Sequence, residues 1–241
     1  MDGTANERKR LPDLHSAKKG DCLWAVFLFS KEKKGEVTMG VITIGRQYGS
    51  NGRRIARALA ERMGIHFYDK ELIRLASERS DIPYEELLKV DEQRANPWRY
   101  PVDEKMQMEN RFRFYPMNDM LYDTEKKIIE ELAAREDCII VGRCANRILK
   151  GMNSCVSVFV YAPMEVRIQT IMKRASINAK EARSLIRRID KQREYYYNYF
   201  TEGCWDKMDE YDFCLDSSRV SVEQAAEILE NAYHTIVKSM L

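Results

Sequence analysis

The sequence predicts an α/β fold, a doubly wound parallel sheet with helices on both faces, three layers in all. Three observations predict it. The runs at 41–44, 138–142 and 155–162 are almost continuously apolar, as strands covered on both faces are. Segments with helical spacing alternate with them, and right-handed crossovers then carry helices to both sides of the sheet. The first run, Val41 to Ile44, enters a glycine-rich loop, Gly45 to Gly52, that opens a helix.

The elements follow in order. Residues 1–38 differ from the rest, being polar at both ends around a short apolar island and the charged run KEKKGE. Two readings stand for them. Either they are a translated upstream region, since codons for 34–39 can hold a purine-rich ribosome-binding site ahead of a start at Met39, or they are a genuine N-terminal tail. The expected organisation is this tail, then a domain over 39–241 with an insertion at about 80–118 and a lid at about 176–206. Strand 41–44 is followed by a helix at 52–63, where Ile55, Leu59 and Met63 recur every four residues. A short strand at 65–68 leads to a helix at 70–79. Ser80 or Asp81 is expected to cap a further short helix, with Pro83 and acidic residues in its first turn. Residues 96–116 hold two proline–aromatic clusters without a period, and read as an irregular insertion. A helix at 119–135, the strand 138–142 and the strand 155–162 come next. Pro163 starts a helix to 175. Asn178 begins a long basic helix to about 200 with a tyrosine-rich end. A strand at 211–218 and an amphipathic helix at 221–240 close the chain.

Composition narrows the function classes. A net charge of +2 over 241 residues gives no argument for a nucleic-acid partner, so an anionic ligand needs a local basic cluster. The six cysteines form no CxxC pair and only three histidines are present, which argues against zinc. Cys138, Cys155 and Cys214 fall in expected strands as small hydrophobes, and reduced thiols fit a cytosol. No apolar run reaches the roughly 18–20 residues that cross a bilayer. A cytoplasmic protein without a membrane partner is expected, and nothing indicates an oligomeric state.

Ligands of open parallel sheets bind at the carboxyl ends of the strands. Here the first strand ends in Gly45-Arg46-Gln47-Tyr48-Gly49-Ser50-Asn51-Gly52-Arg53-Arg54. Glycines allow tight turns and close approach of the backbone to phosphate, and the helix that follows offers free N–H groups and its positive dipole end. Against the pattern GxxxxGK[ST], Gln47 stands at the first glycine, Arg53 at the lysine and Arg54 at the hydroxyl residue. Arg53 supplies charge as a planar fork. The bland alternative is a βα turn with a solvated basic helix start.

Other candidates lie at the same sheet edge. Asp69 follows the second strand and either bonds an amino or sugar hydroxyl group or caps its helix, which continues to Arg74. Arg143 follows the third strand and Gly142, where a cation opposes the helix dipole and an anionic partner, an acceptor phosphate, explains it. Arg183, Arg187, Arg188, Lys191 and Arg193 concentrate charge, and Arg187, Asp190 and Arg193 recur three apart. That face either closes over a triphosphate, with Asp190 orienting the arginines, or is a solvated helix face. The tyrosines at 195–199 and Trp205 pack the lid or stack on a base.

Four segments together resemble the cytidylate kinase-like family, a branch of the nucleoside monophosphate kinases. They are ITIGRQYGSNGRRIARALAERMGIHFYDKELI (42–73), IIVGRCAN (139–146), RRIDKQREYYYNYF (187–200) and YDFCLDSS (211–218). The resemblance implies a P-loop kinase fold and ATP-dependent phosphorylation of CMP or dCMP, with Mg²⁺ carried by the nucleotide and no metal site of the protein's own. It implies a donor loop over residues 45–54. It also implies acceptor contacts from Asp69, Arg74 and Arg143, and phosphoryl-transfer roles for Arg53, Arg187, Arg188, Asp190 and Arg193. The family's Gly-Arg-Asp reads Gly142-Arg143-Cys144 here. Two alternatives remain beside this reading: a kinase of the same fold for another small phosphoacceptor, and a non-catalytic nucleotide-binding regulator.

Overall fold

The computed structural model describes residues 40–92 and 117–240, all within the unit Met39–Leu241. The segment 1–38 and the expected irregular insertion at 96–116 lie outside the described residues. Five strands form one parallel sheet in the order β2-β3-β1-β4-β5. They are β1 (Val41–Arg46), β2 (His66–Tyr68), β3 (Cys138–Val141), β4 (Cys155–Tyr161) and β5 (Phe213–Asp216). In the centre, Ile42 pairs with Ile139 on one side and Val156 on the other.

Eight α-helices occur among the described residues: α1 (Gly52–Met63), α2 (Glu71–Ser80), α3 (Tyr84–Val90), α4 (Met117–Arg135), α5 (Ala145–Ile148), α6 (Met164–Ala175), α7 (Ala179–Thr201) and α8 (Val222–Met240). Successive strand residues point to opposite faces, and the core divides accordingly. Ile42, Ile44, Ile139, Val141, Val156 and Val158 pack with Ile55 and Leu59 of α1 and Ala225 and Leu229 of α8. Val41, Cys138 and Ile140 pack on the other face with Leu72 and Ile73 of α2 and Ile128, Ile129 and Leu132 of α4. The central strands are therefore buried on both faces and mostly apolar, with Thr43 and Ser157 as buried polar exceptions, which is why they show no alternation in sequence.

Local chemistry sets the ends. Gly64 closes α1 at φ 66°, a left-handed position that glycine takes without strain. Asn178 starts α7 with a reciprocal capping box to Glu181. Three expectations shift. Pro83 is the N-cap of α3, not part of its first turn, because its fixed φ suits the approach to a helix. Asp81 ends α2 at φ 55° and does not open α3. The last strand covers only Phe213–Asp216, since Met208–Glu210 form a 3₁₀ turn and the Tyr211 hydroxyl donates to Trp205 O at 2.7 Å. Among the described residues no helix is long and apolar enough to cross a membrane.

Candidate functional site

The loop between β1 and α1 meets the carboxyl edge of the sheet. Gly49 sits at φ 87° and Asn51 at φ 60°, so the chain turns sharply before the helix. No side chain caps α1, and its first turn holds no acidic residue. The Arg54 and Ile55 amides donate to Asn51 O, and among the described residues the Gly52 and Arg53 amides and the helix dipole are left for an external anion. At Gly52 a Cβ would lie 2.7 Å from Arg46 Cβ, so the glycine is required by the close approach of β1 to the helix start. Gln47 and Ser50 shape the loop from within. The Ser50 hydroxyl is buried between Gln47 O at 2.9 Å and Val160 O at 3.0 Å, and Gln47 Oε1 accepts from the Ala162 amide at 3.3 Å. The Ser50 hydroxyl is thus turned into the sheet and away from the cleft.

Tyr48 ties the loop to the α6–α7 hairpin. Its amide donates to Asp190 Oδ1 at 2.7 Å, and its carbonyl accepts from Arg167 at 3.3 Å. Arg167 is itself ion-paired with Asp190. The Tyr48 ring packs with Ile168, Ile171 and Ile186, with the Arg174 guanidinium 4.8 Å and that of Arg193 5.8 Å from its centroid. Asp190 thus holds the loop and Arg167, where the sequence expected it to orient the lid arginines.

Beside the loop lies an open cleft of ≈ 550 Å³, reaching from Arg46–Gly52 across Arg53, Asp69 and Arg143 to Arg174 and Arg193. Its charges are interlocked. Glu92, itself at φ 49°, accepts from Arg46 at 2.7 Å and from Arg193 at 3.2 Å, and Arg193 also donates to Arg46 O at 3.1 Å. Arg53 pairs with Asp69 at 2.5 Å. Arg143, only 2% exposed, pairs with Asp91 at 2.8 Å, with Asp69 and Glu125 at 3.3 Å each, and with Glu92 at 4.0 Å. Burial opposes ionisation of Glu92, but Arg46, Arg193 and Arg143 override it and hold the carboxyl well below the usual range. Glu125 has the opposite balance. Its burial outweighs the single long contact to Arg143 and pushes it up to about 8. Asp91 is also raised by burial. The four carboxylates hold Arg143 well above its ordinary value despite its burial, whereas burial and the charge of Arg46 lower Arg193.

Sequence expectations meet this geometry unevenly. The cleft gathers Arg46, Gln47, Tyr48, Gly49, Asn51, Gly52, Arg53, Arg54, Asp69, Arg143 and Arg193. It does not gather Arg74, which is exposed on α2 and paired with Glu71 at 3.1 Å and Glu78 at 2.6 Å. Arg187 and Arg188 are exposed on α7 and line no part of it. Helical geometry explains this: at 3.6 residues per turn Arg187 and Arg188 sit about 120° and about 140° round the axis from Arg193, which lines the cleft. Arg143 is not a free cation facing solvent but the buried hub of four carboxylates. Gly45 lies beneath the loop, where a Cβ would lie 2.9 Å from the Phe159 ring. Sequence reading missed Glu92, Asp91, Glu125, Arg167, Arg174 and Lys70. The pair Asp91-Glu92 directly after a short helix was the one visible signal. A second, narrow cavity of ≈ 20 Å³ shares Arg46, Glu92, Arg143 and Arg193 with the cleft and adds Cys144, Tyr196, Tyr197 and Trp205. The Tyr196 hydroxyl there is buried without a hydrogen-bond partner.

The described residues bear on ATP and Mg²⁺ differently. The uncapped helix and its arginines fit a polyphosphate. Among the described residues no group of three or more His, Cys, Asp or Glu side chains is arranged to hold a metal ion.

Comparisons with known proteins bear on the family and the fold. The profile of the cytidylate kinase-like family matches residues 41–219. A cytidylate kinase of Methanopyrus kandleri is 29% identical over 207 residues, covering 82% of this chain and 95% of its own. Among solved structures, an uncharacterized protein from Eubacterium ventriosum superimposes with a TM-score of 0.62 at 24% identity, covering 82% of this chain and 99% of that one. The fold is an α/β fold with one five-stranded parallel sheet flanked by helices, and the chain belongs to the cytidylate kinase-like family.

Proposed function

We propose that the chain transfers the γ-phosphoryl group of ATP to a nucleoside monophosphate, with CMP or dCMP as the preferred acceptor. One observation carries the reading. The uncapped N-terminus of α1, at the carboxyl edge of the sheet, opens onto a cleft lined by arginines on both sides. The backbone amides of Gly49, Asn51 and Gly52 and the side chains of Arg53 and Arg54 receive the donor phosphates, the amides of Gln47, Tyr48 and Ser50 being engaged within the protein. Arg46 and Arg193 face them from the other wall. Asp69 and Arg143 stand on the acceptor side, and Asp190 holds the loop in place. Mg²⁺ enters with the nucleotide, because Arg54 stands where the motif's hydroxyl ligand is expected. No covalent intermediate is needed: positioning and charge neutralisation lower the barrier of phosphoryl transfer. The domain for this reaction spans 39–241, with the α6–α7 hairpin as its lid.

Glu92 and Asp69 occupy the guanidinium forks that phosphate oxygens need. Substrate oxygens then exchange with resident carboxylates, and both states keep the buried arginines paired. A second reading, a different small phosphoacceptor, rests on Cys144, which is buried and has no carboxylate to offer a cytosine amino group. A coupled assay of ADP release across nucleoside monophosphates decides. Release with CMP and dCMP alone supports the first reading. Release only with another acceptor supports the second. ATP binding without release on any acceptor contradicts both and leaves a nucleotide-binding regulator.

A further inference from the structure

The cleft is lined by Arg46, Arg53, Arg54, Lys70, Arg143, Arg174 and Arg193. Four of these are engaged by carboxylates: Arg46 and Arg193 by Glu92, Arg53 by Asp69, and Arg143 by Asp69, Asp91 and Glu125. Arg54, Lys70 and Arg174 have no carboxylate within ion-pairing distance among the described residues. Arg174 differs from the other two in being held. Its guanidinium lies over the Tyr48 ring at 4.8 Å. Tyr48 is in turn fixed by its amide to Asp190 and its carbonyl to Arg167.

Stacking uses the flat face of a guanidinium and leaves its N–H edge free to donate. A cation at this position in α6 has an ordinary explanation, since Arg174 lies in the last turn, where the helix dipole favours positive charge. Lys173 meets that demand equally, yet it neither stacks on the loop nor lines the cleft. The geometry therefore points to Arg174 as a donor-phosphate-binding residue, positioned by the ring of Tyr48. It supplies, from α6, the unpaired cation that the sequence pattern seeks on α7. This inference rests on the kinase reading only for the identity of the ligand, a nucleoside triphosphate.

Calorimetric titration of the full chain with ATP, and separately with inorganic tripolyphosphate, tests it without turnover. A charge-assisted contact is expected to be worth about tenfold in affinity. Arg174→Ala should lose about that factor for both ligands, while Lys173→Ala, which removes the same charge one residue away, stays within about twofold. Tyr48→Leu should weaken binding several-fold, and Tyr48→Phe should recover most of that loss, because the ring face and not the hydroxyl carries the contact. Equal affinities of Arg174→Ala and the parent overturn the inference, as does an equal loss in Lys173→Ala. A loss confined to ATP assigns Arg174 to the base and also overturns it. A parent chain that binds ATP but phosphorylates no acceptor sinks the kinase reading and leaves the role of Arg174 standing.

Discussion

Arg143 shows how burial changes what a side chain can do. Its sequence context, after a buried strand and a glycine, marks it as special, but sequence does not say that Asp69, Asp91 and Glu125 converge on it from three different elements. A buried arginine with such partners is a structural hub first, and its removal leaves carboxylates uncompensated. Arg143→Ala is expected to destabilise the fold by about 3–5 kcal/mol in urea unfolding, in addition to any loss of acceptor use; an unchanged midpoint contradicts the hub. Glu125 gives the second test at this scale. Its folded value of about 8 lies above its ordinary 4.5. The folded state then holds a proton that the unfolded chain has released. The associated stabilisation is full below the ordinary value and is lost as pH rises towards 8. Glu125→Gln carries a permanently neutral side chain, so its melting temperature should lack the decline shown by the parent between pH 5 and 8. Parallel pH profiles contradict the assignment. Glu92 works in the opposite sense: its low folded value contributes stability at neutral pH that is lost in acid.

At the scale of elements, the loop and α1 were legible because local chemistry alone dictates them. Ile55 and Leu59 recur at helical spacing, both buried, and the glycines mark the turn. The burial of Ser50 was not legible, because its partner Val160 is 110 residues away. On α7, the period identifies the helix but not its rotation. Ile186, Asp190, Arg193 and Tyr197 face inward, a choice made by Tyr48 and Glu92 and not by the charge pattern of 187–193. The required closeness of β1 and α1 gives a direct test. Gly52→Ala places a methyl group 2.7 Å from Arg46 Cβ, and overpacking of this kind costs about 1–3 kcal/mol. The helix start must shift, so ATP affinity should fall along with the unfolding midpoint. Full affinity at unchanged stability contradicts the proposed cradle.

At the scale of the whole molecule, the continuous apolar strands and intervening helices prescribe the layers, and the parallel order β2-β3-β1-β4-β5 places β1 and β3 side by side. That adjacency brings the loop after β1 and Arg143 after β3 to one edge, where the cleft forms. The architecture was legible because burial on both faces leaves few topologies. The charge network was not, since it depends on which carboxylates reach one buried guanidinium across the sheet. Membership of the cytidylate kinase-like family supports a phosphotransferase, and the proposed transfer from ATP to CMP is the central claim. The most direct measurement is phosphorus NMR of the full chain mixed with ATP, Mg²⁺ and CMP, following the resonances of the products over time. The account predicts that the β-phosphate of CDP grows in step with ADP while inorganic phosphate stays low, because the closed cleft excludes water as acceptor. ATP left intact with CMP, or hydrolysed to inorganic phosphate without CDP, contradicts it.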